Sequence, residues 1–307
     1  MESATLSGTR ARPRWWRTRR GQQRLVGYGF LLPDLIGLTV FVVLPIIGAF
    51  YISLHDWTGI GNQRWAGLGN YETLVHDKAF LDSLKITAIY TFSFVPLLYV
   101  LSLGLALLVN QGLKLTGAMR TAFFAPYMVS LVISSVIWSF MLQDPAGVLN
   151  VIIGWFGFEP QAWLGSTNLA LISVILVTLW QSVGYSMIIF LAGLQDIPRV
   201  YYEAAKVDGA GPWRRLVSIT LPLLKPTSVF VLIISVIGAF QLFDPIFVMT
   251  QGGPANATTT TVYYIYQQAF QFLQLGYASA LSVVLFLIIL AFSLVQLRVF
   301  RDEADER

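Results

Sequence analysis

Most protein chemistry is done by histidine, cysteine and paired acids, and this chain is nearly empty of them. It has no cysteine and two histidines, His55 and His76, in 307 residues. A disulfide framework, a thiolate site and a His-rich metal centre are therefore excluded. No carboxylate pair, HExxH motif or Ser/His/Asp grouping supports catalysis, and the missing Gly-Lys dipeptide rules out a Walker A phosphate loop. Two kinds of polar feature remain. The first lies inside apolar stretches: Phe240, Gln241 and Asp244 fall at i, i+1 and i+4, and a continuous helix puts them roughly on one face. Aromatic faces beside an amide or carboxylate hold a neutral sugar by stacking and hydrogen bonding; the plainer reading is that Asp244-Pro245 ends or kinks a helix. Trp180-Gln181 is a weaker pair of the same kind, and Asp34 reads as a cap or headgroup contact. The second feature is a polar, glycine-bearing segment, residues 195–225, with the composition of a docking element.

The elements that carry these residues follow from composition. Hydrophobic residues make up 56% of the chain, charged residues 12%, and the mean hydropathy is +0.66. A water-soluble domain carries about 25% charge, so water is not the only solvent here. Six stretches reach the roughly 20 apolar residues that cross a bilayer. They are 35–55 (beginning near 27), 86–113, 121–143, 168–194, 226–250 and 277–297. Backbone polar groups need internal partners in lipid, so each is expected to be helical. Runs such as 284–290 lack the alternation of a barrel strand. The expected fold is an all-α bundle of six transmembrane helices. Residues 145–158 are apolar but too short to cross, and read as interfacial or re-entrant.

Lysine and arginine set the orientation. The arm before the first helix, the second and fourth loops and the tail hold 17 of them, against 3 in the other loops. Both termini are therefore expected in the cytoplasm, with the first apolar run kept as an anchor instead of cleaved as a signal peptide. The net charge of +4 then reports topology and implies no nucleic-acid partner. The division is a basic arm (1–26), a six-helix membrane domain (27–299) and a tail (300–307).

The fourth loop is long and patterned. Residues 198–207 hold helix formers, 208–212 break the pattern with Asp208-Gly209-Ala210-Gly211-Pro212, and 213–221 place Trp213, Leu216, Val217 and Thr220 at helical spacing. Pro222 and Pro226 are expected to end the second helix. The result is a helical hairpin on the inner membrane face, suited either to a groove in a cytoplasmic partner or to lying on lipid.

Glu203-Ala204-Ala205, three residues, Gly209, nine residues, then Ile219-x-Leu221-Pro222 resembles the EAA loop of ABC importer permeases, with Asp208-Gly209-Ala210 matching its core. Gly67-Leu68-Gly69-Asn70-Tyr71, Leu32-Pro33, Leu44-Pro45, Phe243-Asp244 and Thr250-Gln251-Gly252-Gly253-Pro254 resemble segments of the carbohydrate members, of maltose and glycerol-phosphate permease type. Leu216 stands where an aromatic is frequent. The resemblance implies one membrane subunit of an ATP-driven sugar importer, working with a cytoplasmic ATPase dimer that binds ATP and Mg2+, a second permease (a heterodimer) and an extracytoplasmic sugar-binding protein. It implies no cofactor and no ATPase motif in this chain. On that reading Glu203 pairs with a basic group of the ATPase or caps its own loop, and Gly209 makes the turn. Trp213, Leu216 and Ile219 fill the partner's groove, and Pro222 stiffens the link to the fifth helix. Phe240, Gln241, Asp244, Trp180 and Gln181 are substrate candidates. Gln251, Gly252, Gly253 and Pro254, in an uncharged loop, are candidates for touching the binding protein. A phosphate substrate would want Arg or Lys in the spans, which contain neither. An ion-coupled transporter would show repeats, buried acids or broken helices.

Overall fold

The computed structural model describes residues 19–111 and 116–305. Four uninterrupted apolar helices are long enough to cross a membrane: span one, Val26–Ser53; span two, Lys78–Val109; span four, Ala170–Gln195; and span six, Leu275–Val299. Two bent pairs bring the number to six. Span three is Thr116–Met128 joined to Leu131–Met141 at 94°, and Lys225–Phe240 (span five) meets the helix Pro212–Leu223 at 67°. Helix continues outward beyond spans one and six, from Arg19 and to Asp305, so neither edge of the membrane domain is a break in the chain. Most of the basic arm, and Lys114, lie outside the described residues.

Spans three and five differ from expectation. Each was expected as one helix, 121–143 and 226–250. Span three instead bends at Val129-Ser130, just after Pro126, and span five stops at Phe240 before a short helical stretch begins at Asp244. Proline accounts for the second break, since the ring of Pro245 clashes with the carbonyl four residues earlier, that of Gln241; Pro126 sits inside the intact helix Thr116–Met128. Pro45 and Pro222 show the alternative outcome. Each follows a π-helical turn, Thr39–Val43 and Leu216–Thr220, whose wider winding makes room for the ring. Pro222 therefore does not end the second hairpin helix, which runs on to Leu223.

Spans two, four and five form the centre. One apolar cluster joins Tyr90, Phe94, Val174, Leu179, Val236 and Ile246, and a second, nearer the hairpin, joins Ala106, Met187, Phe190, Leu194, Leu224 and Val231. Gly184 and Gly193 let the helices approach. A Cβ on Gly184 would lie 1.9 Å from the carbonyl oxygen of Phe123, and one on Gly193 would lie 2.4 Å from Thr227 Oγ1.

The end opposite the hairpin is closed by side chains. A two-residue ladder pairs His55–Asp56 with Arg64–Trp65. Asn70 donates from Nδ2 to the carbonyls of Ser53 (2.8 Å) and His55 (2.9 Å), and the Tyr71 hydroxyl lies 2.6 Å from Ser53 Oγ. The Gly-Leu-Gly-Asn-Tyr segment thus ties off the orphan carbonyls at the end of span one. Asp77 caps span two by accepting from the amides of Ala79 and Phe80, and its other oxygen accepts from Tyr264 (2.6 Å) and Tyr277 (2.5 Å). Burial raises the pKa of Asp77, but these hydrogen bonds outweigh it and hold the carboxyl below its ordinary value. Residues 145–158 hold a short helix, Val148–Trp155, followed by the exposed aromatics Phe156 and Phe158, the pattern of an interfacial element.

Candidate functional site

Both helix breaks border one cavity. It has a volume of about 390 Å3 and lies among spans two, three, four and five, with Tyr127 and Leu131 on either side of one break and Ala239 and Leu242 at the other. Broken backbone at membrane depth is tolerated only where its polar groups find partners or line a cavity. Here each break has a dedicated donor. Gln181 Nε2 donates to the carbonyl of Val129 at 3.1 Å, and Thr260 Oγ1 donates to that of Leu242 at 3.0 Å.

The cavity wall is aromatic and hydroxylic. Tyr90 and Phe94 stack at 5.2 Å and 12°, and Tyr127 and Tyr185 at 4.5 Å and 15°. The Tyr90 hydroxyl donates to Thr178 Oγ1 at 3.0 Å, and Thr178 in turn donates to backbone carbonyls one turn earlier. Among the described residues no hydrogen bond occupies the side chains of Ser182, Ser186 or Ser235. No lysine, arginine, aspartate or glutamate lines the space. Stacked rings with free hydroxyls between them bind polyhydroxylated, uncharged molecules better than ions.

The substrate candidates named from sequence are not gathered here. Phe240 is buried and tilts against Phe292 of span six at 5.9 Å. Gln241 lines a separate, mostly apolar cavity of about 500 Å3 between spans five and six. Asp244 begins the stretch beyond the break and is half-exposed. The shared face required a continuous helix, and the break at 241–243 removes it. Trp180 packs edge-on against Trp138 at 5.5 Å, and Gln181 is committed to Val129. The cavity residues that sequence reasoning missed did leave a signal. Thr178, Ser182 and Ser186 recur at four-residue spacing in span four, as do Tyr90, Phe94 and Leu98 in span two. The two broken spans also remove one argument raised against an ion-coupled transporter. The uncharged cavity still offers no acid to coordinate a cation.

The hairpin has the opposite character. Its first helix, Arg199–Val207, ends in a Schellman motif: the amide of Ala210 donates to the carbonyl of Ala205 (2.8 Å) and that of Gly209 to Lys206 (3.1 Å). Gly209 holds φ at +73°, with open space where a Cβ would stand. Glu203, Ala204 and Asp208 are exposed, Ala205 and Ala210 half-buried, and among the described residues no hydrogen bond or ion pair engages the Glu203 carboxylate. Trp213 is 76% and Val207 88% exposed. Leu216, Ile219, Leu221 and Pro222 are half-buried. The Tyr202 hydroxyl, 3.0 Å from Thr220 Oγ1, locks the two hairpin helices together. At the hairpin's root Leu224 is fully buried, and span five starts directly after it.

The loop after span five is partly internal. Gly252 is buried, and a Cβ there would lie 2.6 Å from Thr259 Oγ1 and 2.8 Å from the ring of Tyr263. Thr258 donates to Gly253, Thr259 to Gly252, and residues 258–261 are buried. Gln251, Ala255 and Asn256 form the exposed tip, with Gly253 and Pro254 half-exposed.

An uncharged cavity at two helix breaks, inside an all-α membrane bundle with an exposed helical hairpin at one end, defines a multi-pass transport-type membrane protein. Residues 75–302 match the family described as binding-protein-dependent transport system inner membrane component, and the chain belongs to that family. It is 38% identical over 284 residues to the trehalose/maltose transport system permease protein MalF of Thermococcus litoralis, covering 91% of this chain and 95% of that one. It is also 38% identical over 293 residues to the sulfoquinovosyl glycerol transport system permease protein SmoG of Agrobacterium fabrum, covering 95% of each. A solved bacterial ABC transporter involved in the import of the acidic polysaccharide alginate shares the fold at a TM-score of 0.82 and 24% identity, over 92% of this chain and 96% of that one.

Proposed function

We propose that this chain is one half of the translocation path of an ATP-driven importer, and that its substrate is an uncharged carbohydrate handed over by an extracytoplasmic binding protein. The cavity at the two helix breaks carries this reading, because its rings and free hydroxyls suit a sugar and no basic side chain awaits a phosphate or sulfonate. The names of the relatives, which include maltose, arabinooligosaccharide, lactose and sulfoquinovosyl glycerol transport systems, support a carbohydrate, and the uncharged cavity lining supports a neutral one. Tyr90, Phe94, Tyr127 and Tyr185 supply the stacking faces, and Ser182, Ser186 and Ser235 the hydrogen bonds.

The motor lies elsewhere. The hairpin end faces the cytoplasm, as the excess of lysine and arginine there supports, and it docks on an ATPase dimer that holds ATP and Mg2+. Trp213 and Val207 enter the ATPase groove and Glu203 meets a basic group of it. Leu224 then passes the motion to span five. That helix is 16 residues long, about 24 Å at 1.5 Å per residue, and its far end borders the cavity. Rocking the hairpin as a rigid body therefore moves the cavity wall. A second permease subunit completes the path. Span one supports this, since no residue of its apolar window is buried within the chain whereas the other uninterrupted spans are each partly buried. Gln251, Ala255 and Asn256 are the tip offered to the binding protein.

Reconstituting the chain with a second permease, an ATPase and candidate binding proteins tests the proposal. A sugar-loaded binding protein should stimulate ATP hydrolysis, and Tyr127→Ala with Ser182→Val should abolish uptake of that sugar. Stimulation only by binding proteins for amino acids or phosphate esters would reject the carbohydrate assignment.

A further inference from the structure

A second polar cavity, of about 510 Å3, lies at the hairpin end of the bundle. We propose that it binds the phosphate of an anionic membrane lipid, held by Arg120 and Arg199, and so ties the first hairpin helix to the bundle. Its position sets the depth. Span two ends at Val109, span three starts at Thr116 and span four ends at Gln195, and Asn110, Thr116 and Gln195 all line the space. Three helix ends at one level mark the edge of the hydrocarbon, where headgroups lie.

The lining supplies what a phosphate needs. Arg120 reaches in from span three and Arg199 from the first turn of the hairpin, with no acidic residue among the lining side chains. The Nε of Arg120 is buried and has no hydrogen-bond partner, and no described residue forms an ion pair with either guanidinium. A buried N–H of a cation left unpaired is costly, whereas a guanidinium fork matches phosphate oxygens in charge and shape. Arg199 also opens the helix Arg199–Val207, whose first turn holds no acid, so the helix dipole adds to the positive field. Asp196 and Glu203, the acids that flank Arg199 in sequence, are exposed and do not line the cavity. Val109, Leu194 and Ile197 provide an apolar wall for the first carbons of an acyl chain. Basic pockets between membrane helices at this level take anionic headgroups.

The consequence is mechanical. Tyr202 lines the cavity and bonds Thr220 of the second hairpin helix, so a bound headgroup would brace both hairpin helices against spans two to four.

The test uses the full-length chain in nanodiscs, with bound lipid counted by native mass spectrometry and melting followed in parallel. Phosphatidylglycerol should be retained and should raise the melting temperature, while phosphatidylcholine and inorganic phosphate should do neither. Arg120→Gln should weaken retention on the order of tenfold, the loss of one charge-assisted contact, and Arg120→Lys should recover only part of it. Arg214→Gln, an exposed hairpin arginine outside the cavity, should retain lipid as the parent does, which separates the pocket from general basicity. Equal retention of phosphatidylcholine, or an Arg120→Lys variant that binds as the parent does, overturns the proposal. Stabilisation by inorganic phosphate equal to that by phosphatidylglycerol overturns the lipid assignment.

Discussion

The cavity and the hairpin are linked by one helix, yet they are finished in opposite ways. At the helix breaks the chain supplies its own partners: Gln181 for the Val129 carbonyl and Thr260 for that of Leu242, with Gly184 where the backbones of spans three and four meet. On the hairpin several large side chains are left exposed. Trp213 and Val207 are mostly exposed, and Glu203 has no partner among the described residues. A membrane interior punishes an unsatisfied polar group, so a helix break there must be completed within the protein that makes it. A surface facing water can be left for another polypeptide to complete, at the cost of exposed apolar area. Mutations should therefore act on stability in the first region and on communication in the second.

The strongest way to test this contrast is Gly184→Ala. The added Cβ would sit 1.9 Å from a backbone carbonyl oxygen of span three and 2.9 Å from the Cα of Phe124. No side-chain rotation relieves such an overlap, so spans three and four must separate. Overpacking of this kind costs about 1–3 kcal/mol and sometimes more, and a backbone clash belongs at the upper end. We expect little folded protein in detergent and no transport. Wild-type melting with Gly184→Ala would show that the two spans are not held together as described.

Gln181→Leu should have a smaller, measurable effect. It keeps the side-chain volume but leaves the Val129 carbonyl without a donor, a loss of about 1–3 kcal/mol. Melting temperature should fall while the protein still inserts. Uptake should fall too, because Tyr127 and Leu131 on either side of the bend line the cavity. An unchanged melting temperature would mean that the bend needs no internal partner, and the contrast between the regions would weaken.

The sequence made some of this visible and hid the rest for physical reasons. Spans one, two, four and six are uniform apolar runs, and their limits came out within a few residues, apart from the extra turns at the start of span two. The hairpin was legible because Gly209 and the helix formers on either side are local signals. The breaks were not, because apolar composition is the same on both sides of a bend and the partners that permit it are distant in sequence: Gln181 lies 52 residues from Val129 and Thr260 lies 18 from Leu242. Counting hydropathy thus joined 226–250 into one helix and assembled Phe240, Gln241 and Asp244 on a face that does not exist. The Gly-Leu-Gly-Asn-Tyr and Thr-Gln-Gly-Gly-Pro segments carried a resemblance, and their physical work, capping span one and folding the loop back on the bundle, appeared only with the coordinates.

The smallest expected effect on stability is the most informative one for the hairpin. Trp213 is 76% exposed and forms no hydrogen bond or ring contact among the described residues, so Trp213→Ala should leave melting within about 0.5 kcal/mol of wild type, as for surface sites in general. If the ring anchors an ATPase partner, the same substitution should uncouple the assembled complex, since a buried aromatic anchor is worth about 2 kcal/mol or more at an interface. Gly209 sharpens the point. Its φ of +73° makes any side chain strained, but the space around it is open, so Gly209→Asp should cost this chain only about 1–2 kcal/mol. Asparagine tolerates that backbone region better, so Gly209→Asn should cost less still. Insertion should survive all three substitutions. Transport abolished by Gly209→Asp while the isolated chain loses no more than that about 1–2 kcal/mol would locate the clash on a partner, outside this polypeptide. Full activity with Trp213→Ala would instead mean that the exposed indole rests on lipid, and the hairpin would lose its claim to be a surface completed by another protein.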